Sequence, residues 1–113
     1  MKVEWHPLAE KDLIEIVTYI AQDNPQAAFD VFEEIKQQIT MLAEHPHLGR
    51  PGRVMNTREL VILRTPYLAP YRIMNDVVNI LRIVHGARKW PKIFASPKYF
   101  GNLIPTSDSI SVA

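Results

Sequence analysis

Between residues 7 and 22, Ala9, Leu13, Ile16, Val17 and Ile20 recur at three- and four-residue steps, with Glu10, Lys11, Glu15 and Thr18 on the opposite side. That spacing predicts a helix with one buried stripe, and Pro7 suits its first turn, where an N–H has no partner anyway. Asp23-Asn24-Pro25 then offers a capping side chain followed by proline, so a second helix starts within a few residues. Its stripe runs through Ala28, Phe32, Ile35, Ile39 and Leu42 and stops at His45-Pro46, since a residue before proline is pushed out of helical geometry. The short link favours an antiparallel helical hairpin. Ahead of it, KVEWH (2–6) alternates like a short strand.

Beyond the helices the period changes. HPHLGRPGRVMNT (45–57) has no repeat and reads as a loop. RELVILR (58–64), PYRIMN (70–75) and VVNILRIVH (77–85) are rich in Val, Ile and Leu, with Pro66, Pro70, Asn75 and Asp76 as turn residues, which predicts three strands. Asn75-Asp76 is short enough for a tight hairpin. The order β-α-α-β-β-β places the chain in the α+β class, a two-helix hairpin packed on a small antiparallel sheet. Residues 1–100 form one expected domain, and 101–113 (GNLIPTSDSISVA) a loosely held tail.

Composition narrows the chemistry. A chain of 113 residues that is 47% hydrophobic suits a single core. No apolar run approaches the roughly 20 residues of a membrane span, and MKVEWHPLAE carries charges where a signal peptide is apolar, so a cytoplasmic protein with no membrane contact is expected. The absence of cysteine excludes a thiolate nucleophile, disulfides and cysteine-held metal centres. Histidines 45 and 47 share a loop with no second ligand pair, so neither a metal nor any other cofactor is expected. Ser96, Ser107, Ser109 and Ser111 lie outside any setting that activates a nucleophile.

Charge is more telling. Residues 1–45 hold three lysines against nine acids, whereas residues 46–100 hold seven arginines and three lysines against Glu59 and Asp76 alone. The first segment is therefore net −6 and the second net +8 in a chain of formal charge +1. Every arginine falls in the second segment, and guanidinium forks match phosphates and carboxylates. Part of this asymmetry is expected to be spent on pairing between the halves; the remainder points to an anionic partner. Alternation along the strands puts Arg64, Arg72 and Arg82 within reach of one sheet surface if the registers align. The competing expectation is that they pair with helix acids.

In order along the chain, EWHPLAEKDL with YIAQDNPQAA, then GRPGRVMNTRELV, PYRI and ILRIVHGARKWP together resemble the RelE/ParE superfamily of type II toxin–antitoxin toxins. The resemblance covers most of residues 1–94 and implies a compact sheet with two helices on it, a toxin that inhibits growth, and a cognate antitoxin that holds it inactive. One branch of the superfamily cleaves mRNA on the ribosome and the other inhibits DNA gyrase. In the nuclease branch, Arg72 of PYRI and Arg88 of HGARKW match two catalytic arginines. The lysine positions of that branch fall near Leu60 and Ile62, and its tyrosine position on Phe94. General acid and base contribute roughly 10²–10⁴ each in rate, and those three side chains supply neither; two arginines alone stabilise charge on the phosphorus. His85, or Glu59 or Tyr99, is the candidate substitute in a nuclease. The expected reading is thus a ParE-like toxin directed at gyrase, with Arg50, Arg53, Arg58, Arg64, Arg82, Lys89 and Trp90 facing the target. A ribosome-dependent mRNA endonuclease using Arg72, Arg88 and His85 is the alternative, and a non-enzymatic nucleic-acid-binding module a further one.

Overall fold

The computed structural model describes residues 1–86. Arg88, Lys89, Trp90, Phe94, Tyr99 and the tail from residue 101 lie outside the described residues. The order is β1 (Lys2–Trp5), α1 (Pro7–Ala21), α2 (Pro25–Thr40) with a 3-10 turn at Met41–Ala43, β2 (Arg50–Pro51), β3 (Arg58–Val61), β4 (Tyr67–Met74), β5 (Val77–Ile80) and β6 (Val84–His85). Both helices begin as the sequence predicts. His6 Nδ1 accepts from the Leu8 N–H, Asn24 Oδ1 accepts from the Ala27 N–H, and each helix carries proline in its first turn. No described helix is long and apolar enough to cross a membrane.

The sheet runs β1-β5-β4-β3-β2, with β6 also on β4. The meander β3-β4-β5 is antiparallel, as expected, but β1 joins β5 in parallel, giving a mixed sheet. The chain returns from β1 through the helical hairpin, and His6 N–H bonding the Ile80 carbonyl at 2.8 Å locks the two strand ends together. Asn75 and Asp76 take φ of 54° and 62° between the paired Met74 and Val77, the primed turn that matches strand twist. Both helices cover one face: Ala9, Leu13, Ile35, Ile39 and Leu42 pack on Leu60, Ile62, Ala69, Tyr71, Val78 and Ile80.

The predicted strand 77–85 is broken in two, and the cause lies opposite the break. Pro70, inside β4, has no N–H for the neighbour on that side. There the partner bulges, with three residues, Leu81 to Ile83, spanning Ala69 and Pro70, between the pairs Ile80–Tyr71 and Val84–Leu68. Only the Leu81 N–H reaches back, to the Pro70 carbonyl at 2.9 Å. The extra residue reverses the alternation beyond Arg82, so that Ile83 joins Val78 and Ile80 in the core while Val84 pairs with Leu68.

Where β3 runs out, α2 finishes its ladder. The Gln38 amide donates to the Leu63 carbonyl at 3.0 Å and accepts from the Leu63 N–H at 2.7 Å, standing in for a neighbouring strand. Replacing Gln38 with Ala should strand both peptide groups and lower stability by about 1–3 kcal/mol, read as a shift in the urea midpoint. An unchanged midpoint would show that water takes over both bonds.

Candidate anion-binding cleft

Arg72 stands near the end of β4, paired across the sheet with Asn79 and on the face away from the helices. Its Nε and Nη1 are closed off from solvent, and burial lowers the guanidinium's affinity for its proton. It lines a cleft of about 320 Å³ with His47, Asn56, Thr57, Arg58, Ile73 and Met74. None of these carries a carboxylate. Two guanidiniums, an imidazole and an amide thus border one hollow, a donor set that suits an anion, while the Thr57 hydroxyl donates to the Val54 carbonyl.

The loop that brings His47 there is tied to the core. Tyr71, fully buried on the helix side of β4, donates its hydroxyl to the Pro46 carbonyl at 2.7 Å and accepts from the Gly49 N–H at 2.9 Å. A side chain at Gly49 would meet the Tyr71 ring and the Glu59 carbonyl at 2.7–2.8 Å, so the loop approaches this closely only with glycine. Arg58 closes the same loop, its Nε bonding the Gly49 carbonyl at 2.9 Å and its Nη2 the His47 carbonyl at 3.2 Å.

The remaining predicted arginines do not gather on Arg72's face. Arg82, two residues on from the core-facing Ile80 and so on the same helix side of the sheet, holds Asp12 with Nε–Oδ2 of 2.6 Å and Nη2–Oδ1 of 2.8 Å, and Asp12 also accepts from the Ile83 N–H. Arg64 lies past the end of β3, in a turn with φ of 67°, and grips Glu34 on α2 at 2.6 and 2.8 Å. For both, the expectation of pairing with helix acids is the one met, and the shared surface with Arg72 is not formed. Arg50 bonds Glu59, and Arg53 reaches the same carboxylate through its backbone N–H and its side chain. Glu59 is only 2% exposed, so it anchors the loop rather than facing a substrate. His85 pairs with Tyr67 at the far end of β4, its ring edge-on at 5.7 Å. Tyr67 and Arg72 are five steps apart along β4, roughly 17 Å at ~3.3 Å per residue, so His85 and Arg72 do not meet on one phosphate. Leu60 and Ile62 are buried under the helices.

The Arg64 pair gives a pH test. The Arg64 guanidinium, and after it the Gln38 amide, hold the Glu34 carboxyl at about 2, well below its ordinary 4.5. Because the folded value is the lower one, the pair's stabilisation is complete above about 4.5 and fades as pH falls toward about 2. A carbon-detected NMR titration should place Glu34 near the lower value, and Arg64→Gln should move it up toward the ordinary one.

His47, Asn56 and Thr57 were not legible as site residues. Their one sequence signal is position: they flank the arginine-rich loop whose two ends the fold brings together at β2 and β3.

A mixed sheet covered on one face by a helical hairpin, with an arginine-lined cleft on the other, defines a small α+β protein. Residues 3–90 match the family described as the ParE toxin of the type II toxin–antitoxin system parDE, and the chain belongs to that family. It is 44% identical to a putative toxin, Y4kP, of Sinorhizobium fredii over 81% of this chain and 95% of the relative. It is 38% identical to toxin RelE2 of Caulobacter vibrioides over 77% and 97% of the two chains. Among solved structures, a chain of the chromosomal ParDE system from P. aeruginosa superposes with a TM-score of 0.69 at 30% identity, covering 75% of this chain and 95% of that one.

Proposed function

We propose that this chain arrests growth by a ParE-like interaction with DNA gyrase in the cytoplasm, and that a cognate antitoxin neutralises it. The observation that carries this reading is the content of the cleft. Arg58 and Arg72 supply charge and planar donors, but no lining residue is a carboxylate or a lysine, and the positions where the nuclease branch has lysines are core leucine and isoleucine. Such a cleft binds an anionic surface and leaves its bonds intact. Gyrase incubated with the protein and supercoiled plasmid should accumulate cleaved DNA complexes at a toxin excess that stops cell growth. Gyrase unaffected at that excess would overturn the gyrase target.

One observation favours a second reading, mRNA cleavage on the ribosome: His47 lines the same cleft as Arg72, and imidazole is the side chain suited to move a proton near neutral pH. Primer extension on translated message after induction separates the two. Codon-spaced cuts that disappear with His47→Ala support cleavage, while intact message in arrested cells supports gyrase.

A further inference from the structure

β1 is the outermost strand of the sheet, with β5 on one side and, among the described residues, no strand on the other. The His6 N–H that bonds the Ile80 carbonyl faces β5, so alternation turns the N–H and C=O of Val3 and Trp5 to the open edge. No bond among the described residues satisfies them there. An open edge invites pairing, and charged side chains along it ordinarily keep other chains off. Here those charges are Lys2 and Glu4, on the uncovered face of the sheet because Val3 and Trp5 pack toward the core. Their side chains are 70% and 50% exposed and meet at 3.1 Å, a pair in open water. Charges of one sign would repel a second copy of the same edge, whereas opposite charges two residues apart are complementary to themselves.

We infer that this edge is an interface for a second copy of the chain, β1 against β1 in antiparallel pairing. Residues whose peptide groups face outward must meet one another across the new pair. That leaves registers that set Lys2 against Lys2, Glu4 against Glu4, or Val3 against Val3 with Lys2 of each copy facing Glu4 of the other. The last alone is attractive. In it each charge keeps its neighbour along the strand and gains an opposite one across it, at the non-bonded positions where facing side chains come closest. The pair already present within the strand is therefore extended to four charges of alternating sign and is not broken. The same register lays Met1 of the second copy beside Trp5, at the border of a hollow of about 640 Å³ that Leu13 and Ile14 of α1 also line, with Ile14 65% exposed. Antiparallel strands of one sheet are related by a two-fold axis perpendicular to it, so both uncovered faces lie on one side. The two Arg72 clefts are then five strand spacings apart, roughly 24 Å at ~4.8 Å each across the strand direction, and the dimer presents both to a single surface.

Sedimentation velocity of the whole chain over a concentration series tests the pairing. Wild type should show a monomer–dimer equilibrium, with hydrogen exchange of the Val3 amide slowing as the dimer fills. Lys2→Glu alone and Glu4→Lys alone should each weaken dimerisation ~10-fold or more, since each turns both facing pairs into like charges. Mixing the two variants should restore association as a heterodimer, one strand then carrying only acids and the other only bases. A chain with both substitutions should dimerise as wild type does. The mixture separates the interface from the fold, because repulsion within each variant's own strand survives mixing and only pairing between strands is rescued. A chain that stays monomeric at every concentration, a dimer indifferent to both single substitutions, a dimer whose Val3 amide exchanges as fast as the monomer's, or folded variants that fail to associate on mixing would each overturn the inference.

Discussion

On the gyrase reading proposed above, Arg72→Ala should abolish growth arrest and weaken the contact with gyrase by ~30-fold or more, the scale of about 2 kcal/mol that a buried arginine anchor contributes to a contact. The reasoning starts from desolvation. Holding Nε and Nη1 away from water disfavours the charged guanidinium, and an anion entering the cleft offsets that cost, so the bond to a partner is stronger than at an arginine in open water. Arg58 and His47 line the same cleft, but Arg58 also spends donors on the loop carbonyls, so its loss should affect toxicity through the loop as well as through charge. Arg72→Lys separates charge from shape: it keeps the cation and gives up the planar fork, and should recover only part of the binding. The measurement is gyrase inhibition across a toxin titration, with the amide NMR spectrum outside the cleft confirming the fold. Full inhibition by Arg72→Ala would move the target-facing surface elsewhere.

The parts of this fold governed by local rules were legible in the sequence. Pro7 and Pro25, the apolar stripes behind them and the Asn75-Asp76 turn each act within a few residues, and each element formed where its signal lay. Arginine placement was legible only as a choice between two outcomes, because alternation groups residues by face without saying which face the helices cover. Leu60 and Ile62, like Val78 and Ile80, turn out to lie under the helices, so Arg64 and Arg82 share that side while Arg72 takes the other. Knowing this in advance requires the register of β4 against its neighbours, a contact between segments that no single window contains. Asp12 shows the same limit. It sits beside the apolar stripe of α1 and looks like one more solvated acid, yet it is 9% exposed because Arg82, seventy residues on, reaches it. The cleft was half legible: Arg72 stood out as an arginine beside a turn, whereas His47 became its neighbour through the anchoring of a loop by Tyr71.

Asp12→Ala should be the most destabilising substitution on the described surface of the helices, costing about 3–5 kcal/mol, the range for removing one partner of a buried ion pair. Asp12 receives three bonds, two from the Arg82 fork and one from the Ile83 N–H at 3.0 Å, and the side chains are only 15% and 10% exposed for Arg82 and Asp12. Alanine leaves the guanidinium and the peptide N–H without that acceptor in a place water reaches poorly. Since a domain of this size is stable by only about 5–15 kcal/mol, the loss is a large share of the total and should appear as a urea midpoint well below wild type. The double substitution Asp12→Leu with Arg82→Met removes both charges together and should regain most of the stability, because the desolvation of each ion disappears with the ion. The rescued protein also isolates what the pair does for function. The clamp fixes the bulge Leu81–Ile83 and so sets the direction in which the chain enters β6. A double variant that is stable but no longer arrests growth would mean that the ion pair is kept for the course it gives β6; one that is stable and fully toxic would mean that apolar packing sets that course equally well.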